Sequence, residues 1–272
     1  RYSVCYVWAW NAPVTREETE EQIRKMLKAG IRSFCIVPLP KEFRPTSMKT
    51  NLEPDYLSEE YFKAVKHAVD FAAQQEMTVW LYDEGGWPSG GACRRVNRSA
   101  SGLLRKRITF SEREIEGGET YHPPVDTAHS EFLAAFDEKS GSRVFDGMIF
   151  TEKTRIVEYF SSCIPDDYLT DVADRRTADK FTELTHEGYA RHLKKYFGNV
   201  IPLIFDDEPA LEHLAWTSEL AEDFKKRFGY DLLDYLPYAA ERAEGKTEAE
   251  CKARRDYRYF LGERFRKNYL LP

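Results

Sequence analysis

The sequence predicts an α/β fold of the TIM-type (β/α)-barrel class, in partial form, and three observations support this. Four apolar segments of strand length alternate with amphipathic helical segments. No glycine-rich phosphate loop follows the first strand, as a doubly wound dinucleotide-binding fold would require. Aromatic, amide and acidic residues instead follow the strands, which is typical of the catalytic face of a barrel.

The first third of the chain carries three predicted strands separated by two helices. The strands are residues 4–8, 33–37 and 78–82, each a short apolar run. Thr15 and Ser58 have the positions of helix N-caps, and Glu18 completes a capping-box pattern with Thr15. This spacing indicates βαβ units, whose right-handed crossovers build a parallel sheet.

The regular alternation stops after the third strand and resumes later. Residues 94–167 are predicted to be a β-rich insertion, with short strands at 108–110, 132–136, 147–150 and 155–160. A helix over 177–197 and a fourth strand over 200–205 follow. Residues 218–272 are predicted to be a helical extension, with helices at 220–228, 231–240 and 248–270 and no fifth strand. We expect one domain, residues 1–272, that contains both the insertion and the extension.

The composition of the chain argues against several classes of function. The 272 residues are 42% hydrophobic and 32% charged, with a formal net charge of -6, which argues against nucleic-acid binding. No apolar run has the length of a membrane span. Five cysteines without a CxxC pair indicate neither a disulfide framework nor a zinc knuckle. The chain opens at Arg1 without a signal peptide, so we expect a processed or excised piece, and the compartment (cytoplasmic, or periplasmic and secreted) is left open.

Three consecutive carboxylates follow the predicted fourth strand. Asp206, Asp207 and Glu208 come directly after residues 200–205 and precede Pro209. Alternation along a strand would place Asp206 and Glu208 on one side and Asp207 on the other. Three like charges require compensation or a raised pKa, as catalytic sites provide. A solvated loop or helix N-cap cluster is the other interpretation.

The predicted third strand ends in the same way. Asp83 and Glu84 follow it, and a glycine-rich loop then presents Trp87. Glycines allow close approach of a ligand, and an indole can stack on the face of a sugar ring. A tight turn around a packed Trp is the alternative.

Two further segments supply candidate binding residues. Trp8 and Trp10 with Asn11 close the first strand; we expect one Trp in the core and the other beside a pocket with Asn11. His186 and Tyr189 are spaced as neighbours on one helix face, without the second His of an HExxH zinc motif. The candidate substrate-binding residues are therefore Trp10, Asn11, Asp83, Glu84, Trp87 and His186.

Five stretches occur in a characteristic order. They are Trp8-Ala9-Trp10-Asn11, Gly30-Ile31, Leu81-Tyr82-Asp83-Glu84 with Trp87-Pro88-Ser89-Gly90-Gly91, Thr185-His186-Glu187-Gly188-Tyr189, and Phe205-Asp206-Asp207-Glu208-Pro209. Together they resemble the barrel domain of the large, mostly uncharacterised α-L-rhamnosidase-like glycoside hydrolases of bacteria. The resemblance covers the regular parts of roughly residues 1–240.

The resemblance implies a glycosidase that cleaves O-glycosidic bonds of a plant or microbial polysaccharide or oligosaccharide. It implies Glu208 as the catalytic acid, and some relatives are thought to need calcium. Such an acid needs a raised pKa, and we expect burial beside Asp206 and Asp207 to supply it. Glycoside hydrolysis commonly uses two carboxylates, and the second is left open among Asp206, Asp207, Asp83 and Glu84.

The resembled proteins continue through a complete barrel, whereas this chain offers four predicted barrel strands. We therefore expect a carbohydrate substrate and, to complete the barrel, either a second copy of the chain or a missing C-terminal half. Two other functions fit the same residues. One is a non-catalytic carbohydrate-binding protein on a truncated barrel, and the other is a metal-dependent hydrolase using calcium or magnesium at the carboxylates.

Overall fold

A computed structural model describes residues 4–99, 101–163, 169–217 and 219–271 of the chain. Eight strands are present there: β1 Tyr6–Trp10, β2 Ser33–Pro38, β3 Thr78–Tyr82, β4 Lys106–Ile115, β5 Ser130–Asp137, β6 Arg143–Val144, β7 Thr154–Cys163 and β8 Ile204–Phe205. The α-helices are α1 Arg16–Lys28, α2 Glu59–Gln74, α3 Arg95–Ser99, α4 Arg175–Leu184, α5 His186–Leu193, α6 Leu220–Phe228, α7 Leu236–Ala239 and α8 Glu248–Phe265. None of the helices within these ranges is long and apolar enough to cross a membrane.

The chain forms two compact units. The first consists of residues 1–102 and 176–210, and the second of residues 103–175 and 211–272. The predicted insertion, residues 94–167, supplies the strands of the second unit, and the C-terminal helices lie in the same unit.

The first unit contains a parallel sheet in the order β1-β2-β3-β8. Thr15 accepts a hydrogen bond from the Glu18 amide at 3.2 Å and begins α1, as its capping pattern predicts. Ser58 accepts one from the Tyr61 amide at 3.1 Å and begins α2. Strand β2 is buried along its whole length. It lies between β1 and β3, and the inner strands of parallel sheets are usually covered on both faces.

The sheet is open within the described residues, so the predicted barrel is not closed here. β1 and β8 are its two edges. The observed architecture is mixed α/β, with one parallel sheet in the first unit and one antiparallel sheet in the second.

Three predicted elements of the first unit differ from the structure. The first strand lies at Tyr6–Trp10 rather than at residues 4–8. The fourth strand shrinks to Ile204–Phe205, because Pro202 has no amide hydrogen to donate and interrupts regular pairing. The predicted helix over 177–197 divides into α4 and α5 at Thr185, whose hydroxyl donates to the Phe181 carbonyl at 2.8 Å. Such hydroxyl-to-backbone bonds are known to bend or weaken helices.

The second unit contains an antiparallel sheet in the order β4-β7-β5-β6. Its strands include three of the four predicted in the insertion. The exception is 147–150, which forms only an isolated bridge between Ile149 and Thr120. The predicted helix 220–228 forms as α6, whereas residues 231–240 form a 3-10 turn, Leu232–Tyr235, and the short α7. Helix α8 starts with a complete capping box of Thr247 and Glu250, and a π-helical turn, Arg266–Leu270, follows it. The apolar faces of these helices pack a core around Phe224 and Tyr257.

Candidate functional site

Parallel pairing brings the carboxyl ends of β3 and β8 together. Tyr82, the last residue of β3, pairs with Phe205, the last residue of β8. One acidic pair, Asp83 and Glu84, follows β3, and one acidic triplet, residues 206–208, follows β8. Both therefore start from the same edge of the sheet. The amide of Asp83 donates to the Phe205 carbonyl at 3.2 Å and extends this pairing by one step.

Glu84 is buried and bound entirely by backbone groups. It is 2% exposed. Its carboxylate accepts hydrogen bonds from the amides of Gly85 at 2.7 Å, Gly91 at 2.8 Å, Ala92 at 2.7 Å and Cys93. Burial raises the pKa of Glu84 to about 7 against the opposing effect of these four donors. Glu84 therefore organises the loop over 85–93, and its carboxylate is occupied by these backbone amides. Its contact with substrate stays a prediction.

Asp83 is also buried, at 2% exposed, but it faces other side chains. The Ser89 hydroxyl lies 2.6 Å from Asp83 Oδ1. Burial first, and then the charges of Asp206 and Glu84, raise the pKa of Asp83 to about 8, against the Ser89 hydrogen bond. A carboxyl of this kind holds a proton at neutral pH, which is a property of acid–base sites.

Asp207 and Asp206 face different partners. The Tyr82 hydroxyl donates to Asp207 Oδ2 at 2.6 Å. The pKa of Asp206 is raised, chiefly because its carboxyl is partly desolvated although the residue as a whole is exposed. The charge of Asp207 adds to that rise in pKa, and the Ser89 hydroxyl opposes it.

Glu208 lies outside the strand geometry that the sequence suggests. β8 ends at Phe205, and Glu208 has a positive φ of 51°, so strict alternation does not assign sides to the three carboxylates. Glu208 is exposed rather than buried beside Asp206 and Asp207. Both the predicted register and the predicted burial of Glu208 are corrected by this backbone turn.

Trp87 is held by the glycine-rich loop. Its half-buried ring lies 4.8 Å from the Phe43 ring, and the Arg44 guanidinium lies 5.2 Å from its centroid. A side chain at Gly86 would meet the Phe43 ring at 2.2 Å, so this turn admits only glycine. The loop therefore holds the half-buried indole against Phe43 and Arg44.

Trp10 lies in the core, and Asn11 lies beside a small pocket. Trp10 is 3% exposed and packs edge-on against Trp8 and Tyr61, so its ring is part of the core. Asn11 is exposed and, with both Trp residues, borders a pocket of about 110 Å³. Ligand pockets usually hold about 300–1,000 Å³, so stacking of Trp10 on a sugar does not fit the structure.

His186 is the first residue of helix α5. Its Nδ1 is 3.0 Å from the Thr185 hydroxyl, and its ring contacts Phe181 edge-on. Burial lowers its pKa, which favours the neutral imidazole. These contacts do not bring His186 to the strand-end carboxylates, and its predicted binding role has no support in the geometry.

Ser89 and a layer of tyrosines were missed as site residues by the sequence reasoning. Tyr189 donates to the Tyr82 carbonyl at 3.2 Å, and its hydroxyl lies 2.9 Å from that of Tyr61. Ser89 lacks the GxSxG motif of a serine nucleophile. Its position six residues after Asp83, beyond a Gly-Gly turn, was the available signal for a loop that folds back.

Comparison with known proteins connects this site to a family. Residues 167–271 match the α-L-rhamnosidase family model. This segment is α-L-rhamnosidase-like. The resemblance predicted from the ordered motifs is confirmed, although the matched range starts after the first three of them and continues past residue 240.

A solved structure supports the same relationship at the level of the fold. The rhamnosidase from Novosphingobium sp. PP1Y aligns with a TM-score of 0.59 and 11% identity, over 98% of this chain and 44% of that one. The rhamnosidase-like chain thus spans less than half the length of that protein. No curated protein matches it.

The rhamnosidase-like segment contains Asp206, Asp207 and Glu208, whereas Asp83 and Ser89 lie before it. In the described ranges, no group of three or more His, Cys, Asp or Glu side chains is arranged to hold a metal ion. Calcium binding therefore stays an expectation drawn from the resemblance.

Proposed function

We propose that this chain carries the acid–base edge of an O-glycosidase active site, acting on α-L-rhamnosyl groups of a plant or microbial oligosaccharide or polysaccharide. The observation that carries the proposal is the meeting of carboxylates from two adjacent parallel strands, β3 and β8, in a rhamnosidase-like fold. Strand ends are where barrel enzymes keep their catalytic groups.

In this proposal, Glu208 protonates the leaving oxygen of the glycosidic bond. Its exposure allows it to reach a substrate, whereas Glu84 is buried. Asp206 is the best placed second carboxylate, because it is exposed and neighbours Asp83 and Ser89. The Trp87 ring supplies a stacking surface for the sugar.

The test is hydrolysis of an aryl α-L-rhamnoside by the whole chain and by Glu208→Gln. An aryl leaving group needs little protonation, so a natural disaccharide is assayed beside it. We expect Glu208→Gln to lose at least about a hundredfold in kcat on the disaccharide and less on the aryl substrate. Full disaccharide activity in Glu208→Gln would remove Glu208 from the acid role. Glu76→Gln, an exposed substitution of the same kind, is the control.

A non-catalytic carbohydrate-binding function is the second candidate, and one observation favours it. Asp83 and Glu84, half of the second-carboxylate candidates, are buried and already hydrogen-bonded. This function predicts that rhamnose binds and depends on Trp87, while no hydrolysis follows even after long incubation.

We also propose that the parallel sheet is part of a TIM-type barrel that other strands complete. The supporting observation is the apolar character of its edges: Val7 of β1 is 73% exposed and Phe205 of β8 is 42% exposed. Unpaired edges with such side chains favour association. The solution mass of the chain tests whether a second copy covers these edges, since a monomer would leave completion to another segment.

A further inference from the structure

Asp207 is held at its side chain and at both of its backbone groups. The Tyr82 hydroxyl donates to Asp207 Oδ2 at 2.6 Å. The Asp207 amide donates to the Ser89 hydroxyl at 2.9 Å, and the Ser89 amide donates to the Asp207 carbonyl at 2.7 Å. We call these three hydrogen bonds, which Tyr82 and Ser89 make with Asp207, the Asp207 clasp.

The two residues that bind Asp207 are themselves fixed. Tyr82 is the last residue of β3 and is 3% exposed, and its ring stacks on that of Phe205 with the centroids 5.9 Å apart. Ser89 is also 3% exposed, and its hydroxyl donates to Asp83 Oδ1 at 2.6 Å. The proton of this hydroxyl is therefore on the side of Asp83, and a lone pair is left for the Asp207 amide. Both groups that hold Asp207 thus have little freedom to move.

The clasp ends one peptide bond before Glu208, whose backbone is strained. Glu208 has a positive φ of 51°, which is costly for a residue with a Cβ atom. It also precedes Pro209, and a residue before proline favours extended backbone. Such conformations persist only where the surrounding structure enforces them, and they concentrate at functional sites. Contacts next to Glu208 must therefore hold this turn.

The peptide group that joins Asp207 to Glu208 is planar, so one hydrogen bond can orient all of its atoms. Its carbonyl oxygen accepts from the Ser89 amide, which fixes the positions of the nitrogen and Cα of Glu208 as well. The Tyr82 hydroxyl holds the Asp207 side chain at the same time, so movement of this segment has to break more than one hydrogen bond. The point from which the exposed Glu208 side chain leaves the backbone is therefore set by Asp207.

We propose that Asp207 is a positioning residue for Glu208, and that Tyr82 and Ser89 act on Glu208 through it. This rests on the proposed glycosidase function, in which Glu208 is the acid. It removes Asp207 from the candidates for the second carboxylate and leaves Asp206 in that role. Asp207 supplies an acceptor for the Tyr82 hydroxyl rather than a charge beside the substrate. An asparagine, which keeps one accepting side-chain oxygen, should therefore replace it.

The experiment measures kcat of Asp207→Asn, Asp207→Ala and Tyr82→Phe on a rhamnosyl disaccharide and on an aryl rhamnoside. We expect Asp207→Ala and Tyr82→Phe to lose about ten- to a hundredfold on the disaccharide, as for a misplaced catalytic group. The loss on the aryl substrate should be distinctly smaller, because its leaving group needs little protonation. Asp207→Asn should stay within about threefold of the wild type on both substrates. Tyr259→Phe, which removes the hydroxyl of an exposed tyrosine on α8, is the control.

A catalytic Asp207 would give a different result, because a nucleophile or base needs the charge of its carboxylate. Asp207→Asn would then be as impaired as Asp207→Ala, and this would overturn the proposal. Equal losses of Tyr82→Phe on the two substrates would overturn it as well, because they indicate general disruption of the site. If Asp207→Ala does not fold, Tyr82→Phe, which removes a single hydroxyl, carries the same comparison with Asp207→Asn.

A double-mutant cycle tests whether the effect of Tyr82 passes through Glu208. When Glu208 is already glutamine, Tyr82→Phe should cost less than about threefold on the disaccharide, because no acid is left to position. The full loss in the Glu208→Gln background would show that Tyr82 acts independently of Glu208 and would contradict the proposed role.

Exchange of the Asp207 amide, followed by NMR, measures the clasp without turnover. It should be at least about tenfold faster in Tyr82→Phe than in the wild type, and unchanged in Tyr259→Phe, since amide exchange reports local opening. Unchanged exchange in Tyr82→Phe would refute positioning by Tyr82 whether or not the chain is active. If the wild type hydrolyses neither substrate while exchange responds as expected, the glycosidase function fails and the hold of the clasp on residue 208 is supported.

Discussion

Replacement of Glu84 by glutamine tests whether one buried carboxyl organises the loop that carries Trp87 and Ser89. One carboxyl oxygen accepts the amides of Gly91 and Ala92, and the other accepts those of Gly85 and Cys93. A glutamine side chain offers only one accepting oxygen. Two of the four buried amides therefore lose their acceptor in Glu84→Gln.

The expected cost follows from these two amides. A buried donor left without an acceptor costs about 1–3 kcal/mol, so the loop should lose about 2–6 kcal/mol of local stability. The comparison is best made at pH 6, since the pKa of Glu84 is about 7 and the wild-type side chain is then mostly neutral, like glutamine. The cost of burying a charge therefore largely cancels when the stability of Glu84→Gln is compared with that of the wild type.

Hydrogen exchange of a peptide covering residues 85–93 measures this directly, because amide exchange reports local opening. A loss of about 2 kcal/mol corresponds to roughly thirtyfold faster exchange. Glu17→Gln, an exposed substitution on α1 in the same unit, is the control and should leave the loop unchanged. Exchange of the 91–93 amides within about threefold of the wild type, in folded Glu84→Gln, would refute the reasoning.

Two other predictions concern the same edge of the sheet. Because burial raises the pKa of Asp83 to about 8, its protonated form stabilises the fold below about pH 4, and this contribution is lost as pH rises toward 8. The melting temperature of Asp83→Asn should therefore exceed that of the wild type at pH 9 and approach it at pH 4; parallel curves would contradict this. Replacing Trp87 by alanine should weaken rhamnose binding about three- to tenfold in calorimetry, since an aromatic contact contributes about 0.5–1.5 kcal/mol. Trp87→Phe should retain most of the affinity, and equal losses in both variants would argue against stacking.

Much of the local structure could be predicted because its causes are local. Caps at Thr15 and Ser58 and the apolar runs of β2 and β3 act over a few residues, and these elements form where the sequence indicates. The fourth strand and the long helix were less well predicted. Pro202 and the Thr185 hydroxyl each intervene at one position, and such single-residue effects are lost in a periodic pattern.

The site was predicted in part for the same reason. Acidic residues after β3 and β8 could be recognised as neighbours, because parallel strands end at a common edge. The sequence could not distinguish the roles of Asp83 and Glu84, because the two residues are adjacent and chemically alike. The folded loop over 85–93 supplies four backbone donors to Glu84 and the Ser89 hydroxyl to Asp83.

The sequence by itself determined that parallel βα units place carboxylates at one edge of the sheet. It also determined that the pattern of these units is α-L-rhamnosidase-like. Both could be recognised because strand period, helix capping and motif order depend on residues that are close together in the sequence. Only the tertiary structure decided that Trp10 belongs to the core, that Glu208 is exposed at a backbone turn, and that Ser89 returns to bond Asp83 and the backbone of Asp207. Those outcomes depend on burial and on hydrogen bonds between residues as far as 118 positions apart. Contacts of that range are fixed by packing, which no local pattern encodes.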